Sequence, residues 1–256
     1  MPFDVQDLHL HLGGAPILQG LSFCLPPHGI TGIIGANGCG KTTLLRGLSG
    51  VLPPTRGQVL HAGTAIVGLS PTARARRIAM LPQSALAPPG LTVRQLVARG
   101  RTPWLRPFLP MTAADHAAVD AAMRAVGLQD LADRQLESLS GGQRQRAWIA
   151  LVLAQQSGTI LLDEPLNHLD LPHQAELVQL LRDLGQTHAV VMILHDLTIA
   201  ARVCDHVLAL RDGRLVASGP AADVLAQGPL QQTFGISFDC GALPGSGKPV
   251  ILPAAL

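Results

Sequence analysis

At 256 residues and 47% apolar side chains, the chain is long enough to bury one large core or two small ones. A formal charge of +2 gives no nucleic-acid footprint, and no apolar run approaches the length that spans a bilayer. Aromatic residues make up 3% and tyrosine is absent, so the core must come from leucine, valine, isoleucine and alanine; only 14% of residues are charged, which suits a surface that works in a complex.

The first residues, MPFDVQDLHLH, hold neither a positive stretch nor a long apolar one, and are not read as a signal peptide. Asp4 to Leu12 alternates, with Leu8, Leu10 and Leu12 on one side and His9 and His11 on the other. That predicts a half-buried strand whose histidines face solvent rather than a metal. Gly13-Gly14 turns the chain into a second strand, Ile17 to Leu25. Cys24, Cys39, Cys204 and Cys240 form no CxxC pair, so a zinc site is not expected and the thiols read as those of a reduced, cytosolic protein.

An apolar run, Ile30 to Ile34, leads into Gly35 to Thr43, which reads GANGCGKTT, and Leu44, Leu45 and Leu48 follow at helical spacing. Strand, glycine-rich turn and helix are the context of a phosphate loop. Gly35, Gly38 and Gly40 let the backbone curl so that its N–H groups face phosphate oxygens, and the new helix adds the positive end of its dipole. Lys41 is placed to reach the outer phosphates and Thr42 to ligate Mg²⁺. Asn37, Cys39 and Thr43 complete the nucleotide-binding candidates of this loop.

Gly57 to Leu60 and Thr64 to Leu69 read as short strands. Arg74, Arg76 and Arg77 form a basic cluster, either a solvated helix face or a contact with phosphate or a partner. Ile78 to Leu81 reads as a strand running out at Gln83. After the break Ala87-Pro88-Pro89-Gly90, Val93 to Ala98 is helical and Arg101 to Pro110 is an irregular connection. Thr112 to Gly127 is a helix capped by Thr112 with Asp115 behind it, with Ala113, Ala117, Ala121 and Val126 on one side. Segment 88–154 is thus mostly helical, inserted before the strand Thr159 to Leu162.

That strand ends in Asp163-Glu164, at the sheet edge where open parallel sheets bind ligands. Asp163 is a candidate for holding Mg²⁺, and Glu164 for polarising the water that attacks the outer phosphate. Pro172 to Leu184 is a helix that carries Leu177, Leu181 and Leu184 inward. The apolar strand Ala189 to Leu194 ends in His195, a candidate to donate to the outer phosphate or to orient Glu164. Val207 to Leu210 and Arg214 to Ser218 form a hairpin, and Ala221 to Ala226 a short helix. Gly245-Ser246-Gly247-Lys248 imitates a second phosphate loop, but no strand precedes it and Pro249 starts a helix badly, so it reads as a loop or terminal hairpin.

Ser140, Gly141, Gly142 and Gln143 open a helix after Leu139 and make a second anion nest. One phosphate is not easily gripped by two nests in one sheet; a symmetric pair of chains, each closing the other's nucleotide, solves this.

With these residues in place, the chain resembles the ATPase subunits of ATP-binding cassette transporters over about Val5 to Ile236, with LSGGQ at Leu139 to Gln143 as that family's signature. The resemblance implies an α/β P-loop NTPase fold of ABC type, a mixed sheet core with an antiparallel β edge and an inserted helical subdomain. The core would span 1–87 and 155–235, the helical subdomain 88–154, and a short extension 236–256. It implies ATP and Mg²⁺ as cofactors. Gly35 to Thr43 becomes the Walker A loop, Thr159 to Asp163 the Walker B strand and Glu164 the catalytic carboxylate. Gln83 becomes the Q-loop residue, sensing Mg²⁺ and the attacking water; Asn167 to Asp170 becomes the D-loop, and His195 the switch histidine. Two nucleotides would be sandwiched in a homodimer that drives two membrane permease subunits from the cytoplasmic face of the inner membrane.

Gly90 to Trp104, GLTVRQLVARGRTPW, is similar to importers of iron chelates, haem and cobalamin, and Gln143 to Gln155 is most similar to the ferric hydroxamate siderophore ATPase. A periplasmic or lipoprotein binding protein would then deliver cargo to the permease. Haem or cobalamin import, and a soluble ABC-type scaffold or assembly ATPase, stand as alternatives. Leu12 occupies the place of the family's adenine-stacking aromatic residue, and Leu166 replaces a small or polar residue. Cys39, near a helix start, is placed for a lowered pKa.

Overall fold

The computed structural model describes residues 2–83, 87–167 and 169–254. The chain opens with the expected hairpin, β1 (Phe3–Leu12) and β2 (Ala15–Cys24), crosses to β3 (Gly29–Gly35), enters α1 (Lys41–Leu48) and returns as β4 (Arg56–His61) and β5 (Thr64–Ala65). The second of the short strands predicted here stops at Ala65; a 3-10 turn, Ile66–Gly68, tucks the Ile66 side chain into the core instead. The antiparallel strands do not join the main sheet as an edge. They form a sheet of their own, in the order β2-β1-β4-β5.

The alternation of β1 breaks at Asp7, which adopts φ 47° where the register shifts. The bulge lets Phe3 and Val5 before it, and Leu8 and Leu10 after it, all face the core. Leu12, grouped with them by spacing, is instead half exposed at the strand end.

The second sheet holds β3, β6 (Ile78–Leu81), β7 (Thr159–Leu162), β8 (Ala189–Ile193), β9 (His206–Arg211) and β10 (Arg214–Pro220), ordered β10-β9-β3-β8-β7-β6. All pairings are parallel except β10 on β9. Its strands are apolar on both faces and the period of two divides them. Ile33, Leu161, Val191, Ile193, Leu208 and Leu210 pack with Leu44, Leu45 and Leu48 of α1 and the inner face of the antiparallel sheet. Ile34, Leu162, Val190, Met192, Val207 and Ala209 face the other side, with the remaining helices.

The short α2 (Pro71–Ala75) buries none of its residues, and the helices on that side are α3 (Val93–Ala98), α4 (Ala113–Ala125), α5 (Gly141–Ala154), α6 (Leu171–Gly185), α7 (Leu197–Val203), α8 (Ala221–Val224) and α9 (Gln227–Phe234). On α4 the buried face is Ala118, Val119, Ala122, Met123 and Val126, not the predicted alanine row 113, 117 and 121. The capping box of Thr112 and Asp115 sets the phase, and Asp115 turns inward onto Arg101 at 2.9 Å. Larger side chains then gain more from burial than the alanines do.

The connection after α3 is regular in its first part, while 105–110 is irregular as expected apart from a turn. It begins as a 3-10 helix, Arg99–Trp104, with Arg101 buried and the Trp104 ring between the guanidinium groups of Arg76 (4.8 Å) and Arg101 (5.4 Å). Arg76 also donates to the Pro103 carbonyl at 2.9 Å, so it is engaged within the chain. On α6, Leu177 and Leu181 are buried and Leu184 is half-buried. The tail closes as a hairpin, β11 (Phe238–Ala242) and β12 (Pro249–Pro253), with Gly245 to Lys248 in its connection rather than at a helix start. Among the described residues no helix is long and apolar enough to cross a membrane.

Candidate nucleotide site

Neighbouring strands of the parallel sheet end at one edge, and each end carries a predicted residue. β3 runs into the phosphate loop, β7 into Asp163-Glu164, β8 toward His195 and β6 toward Gln83. The loop is pinned on both sides. A Cβ on Gly35 would meet the Leu210 carbonyl at 2.2 Å, and one on Gly40 the Leu18 side chain at 2.6 Å, so at both positions only glycine fits. The Gly213 N–H, in the β9–β10 turn, donates to the Cys39 carbonyl at 3.1 Å. Asn37 and Gly38 form the exposed crest of the loop, and Thr42 and Thr43 are half-buried.

Lys41 is buried, and its Nζ donates to the Gly35 and Ala36 carbonyls at 2.8 and 2.9 Å. Those bonds hold the ammonium beneath the curled backbone. Thr42 Oγ1 donates to Asp163 Oδ1 at 3.3 Å. Burial raises the Asp163 carboxyl above its usual range, with the Thr42 hydrogen bond opposing. A hydroxyl and a buried carboxylate form a hard oxygen donor pair of the type Mg²⁺ takes alongside phosphates.

Glu164 sits at φ 53°, a left-handed conformation that costs a non-glycine residue about 1–3 kcal/mol. The turn aims its carboxylate at three donors. His195 Nε2 lies 2.6 Å from Oε1, Gln83 Nε2 donates to Oε2 at 2.6 Å, and Asn167 Nδ2 donates to the same oxygen. A carboxylate only accepts, so His195 Nε2 carries the proton. Gln83, His195 and Glu164 thus form one hydrogen-bonded cluster. Asn167, assigned only to the D-loop by resemblance, is its fourth member; its place three residues beyond Glu164, across a turn, is the sequence signal.

Ser140 caps α5: its Oγ accepts the Gln143 N–H at 3.2 Å while Gln143 Oε1 accepts the Ser140 N–H at 3.1 Å. This corrects the expected nest, because two of its N–H groups are satisfied internally and those of Gly141 and Gly142 lie at the open helix end. A Cβ on Gly142 would meet the His173 ring at 2.6 Å. Gln145, which sequence reasoning did not single out, donates to the Pro165 carbonyl at 3.1 Å and ties α5 to the turn after Glu164. Gln83, Gly141, Gln145, Trp148, Glu164 and Asn167 share a cavity of about 340 Å³.

Asp170 caps α6, accepting the His173 N–H at 3.2 Å. His168, inside the expected D-loop, lies outside the described residues. Leu166 is buried in the main core, which accounts for an apolar residue there. Cys39 is a correction: burial pushes its thiol up, and the nearby Lys41 charge only partly offsets this.

The ABC transporter family profile matches residues 18–167. The ferric enterobactin transport ATP-binding protein of Escherichia coli is 40% identical over 250 residues, 97% of this chain and 92% of that one. The iron(3+)-hydroxamate import ATP-binding protein of Bacillus subtilis is 39% identical over 249 residues, 96% and 93% of the two chains. Among solved structures, one described as an inward-facing metal-chelate type ABC transporter superposes with a TM-score of 0.87 at 28% identity, covering 99% of this chain and 98% of that one. The chain belongs to the ABC transporter family, as one of its ATP-binding subunits.

Proposed function

We propose that this chain hydrolyses ATP to power import of a ferric siderophore, of the hydroxamate class, through a membrane permease. The observation that carries the reading is the cluster on Glu164, a strained carboxylate fixed by His195, Gln83 and Asn167 beside the phosphate loop. Glu164 takes the proton of the attacking water at a carboxylate oxygen, while His195 and Gln83 hold that carboxylate in place. Lys41 and the loop backbone bind the outer phosphates of ATP. Thr42 and Asp163, with Gln83 at the rim, would hold Mg²⁺, which when bound neutralises phosphate charge. Leu12 gives the base an apolar contact without stacking.

In the same reading, Ser140 to Gln143 of one subunit close on the nucleotide of its twin, with Asn167 to Asp170 between the two. The core is 1–87 with 155–235, the helical lobe 88–154 and the extension 236–256. Two permease subunits dock near Gln83 and the helical lobe, at the cytoplasmic face of the inner membrane, and a binding protein supplies cargo from the other side. Both relatives support an iron-siderophore cargo, and the one named for iron(3+)-hydroxamate import supports the hydroxamate class. Glu164→Gln is expected to keep ATP binding and lower phosphate release by ~10² to 10⁴-fold, read by nucleotide filter binding and steady-state turnover. Undiminished turnover would remove Glu164 from the chemistry. Copurification from membranes with soluble partners alone would refute the permease.

A further inference from the structure

Separate from the phosphate loop, α6, α7 and the closing hairpin flank an open groove of about 500 Å³. Val178 and Ile199, both half-buried, give it an apolar floor, Leu171, 80% exposed, forms an apolar rim, and Arg182, Arg202 and Lys248 line it with three cations. Backbone contacts gather those cations. Arg182 donates to the Arg202 carbonyl, Arg202 Nε donates to the Pro249 carbonyl at 3.0 Å, and Pro249 follows Lys248. None of the three enters an ion pair among the described residues. Of the nearby carboxylates, Asp183 accepts from Gln179 at 2.9 Å, and Asp205, which shares the adjoining cavity with Arg182 and Arg202 without pairing with either, accepts the Ile30 N–H at 2.8 Å. The Gly245 to Lys248 segment has no part in the nucleotide site, yet it delivers a cation here.

Like charges converging over an apolar floor are complementary to an anion with an apolar body. We propose that the groove is an effector site for a free amphiphilic organic anion, a carboxylate or phosphate head on a single short acyl or aryl body. The head pairs with Arg182, Arg202 and Lys248, and the body covers Leu171, Val178 and Ile199. A groove of this volume holds a single-chain molecule, and the vesicle arm below tests a bilayer in its place. Such a ligand bridges α6 and α7, which start just after Asp170 and Asp196, so it acts from behind on the cluster that holds Glu164. The binding half of this inference is independent of the import reading.

The full chain is titrated with anilinonaphthalene sulfonate, and the dye is displaced with decyl phosphate below its micellar concentration. Decanol, inorganic phosphate and phosphatidylglycerol vesicles serve as the other arms. Decyl phosphate is expected to displace the dye saturably, with each other arm weaker by about tenfold or more. Lys248→Glu should weaken decyl phosphate by about tenfold while its circular-dichroism melt and basal ATP turnover stay unchanged, and Lys41→Ala should leave dye binding intact. Saturating decyl phosphate should change wild-type turnover by about twofold or more, which Lys248→Glu abolishes. The effector site is overturned by equal displacement with decanol or vesicles, by undiminished binding to Lys248→Glu, by loss of dye binding in Lys41→Ala, or by turnover that decyl phosphate does not move. A dimer that sediments without nucleotide and that Lys248→Glu disperses would place a second copy on the groove and overturn it as well.

Discussion

Glu164 carries the hydrolytic reading because backbone strain and hydrogen bonding agree on it: the residue is held left-handed and its carboxylate meets three donors. Leu12 stands where the resemblance implies an adenine-stacking aromatic residue. It stands half exposed at the end of β1, beside the Gly13-Gly14 turn, and offers only apolar contact. Base stacking on an aromatic ring is worth about 1–3 kcal/mol, so Leu12→Tyr is expected to tighten ATP by about tenfold, with little change for a base-free triphosphate, in equilibrium binding. Equal tightening of both ligands would place the base elsewhere. His61 reports on pH. Burial, aided by the Arg77 charge, lowers its pKa to about 4 from 6.5, so the folded chain keeps the ring neutral. The stability this gives is complete above about pH 6.5 and is lost as pH falls toward 4, by about 1.4 kcal/mol per unit. Urea midpoints at pH 7 and pH 5 are expected to differ more in wild type than in His61→Gln; equal differences would contradict the assignment.

At the scale of elements, the helical segment is held by an internal ion pair as well as by packing. Arg101 and Asp115 are both buried and 2.9 Å apart, and Arg101 also donates to the Ala154 carbonyl and Gln156 Oε1, each at 2.8 Å. The contacts with Thr112 and then Arg101 hold the Asp115 pKa down at about 2. Arg101→Ala strands that carboxylate, and a loss of about 3–5 kcal/mol is expected in thermal or denaturant unfolding. A loss under 1 kcal/mol, on the order of a surface pair, would show that solvent screens it.

The elements that sequence made legible are those whose period or cap is local: β1, the phosphate loop, the Thr112 cap and the apolar strand β8. What stayed hidden depends on distant partners. Arg101 is buried where Asp115, Ala154 and Gln156 meet its guanidinium, and Trp104 lies against two arginines, one of them on another segment. The α4 face was misread because alanine carries too little hydrophobic signal to fix a phase. α9 went unseen because Leu230 and Thr233 are its only buried residues among the eight. At the site, Lys41, Thr42, Asp163, Glu164 and His195 could be found from strand ends and spacing, whereas the Asn167 and Gln145 hydrogen bonds needed the folded turn.

For the whole molecule, the phosphate loop and the Ser140 helix start are, in the proposed reading, the two halves of a grip, supplied by different copies. Lys41 is fixed under its loop on the parallel sheet, while Ser140 is exposed at the tip of α5 and tied into its own capping box. Closing both on one ATP takes a head-to-tail pair, in which each copy completes the site of the other. The most direct measurement mixes two defective chains in the Glu164→Gln background, one with Lys41→Ala and one with Ser140→Arg, and counts ATP retained on the dimer by sedimentation with labelled nucleotide. Each variant alone is predicted to retain none, and the mixture to recover dimers holding a single ATP, because one of the two shared sites is then intact. A mixture that retains no ATP, or either variant retaining as much alone, would contradict the shared site.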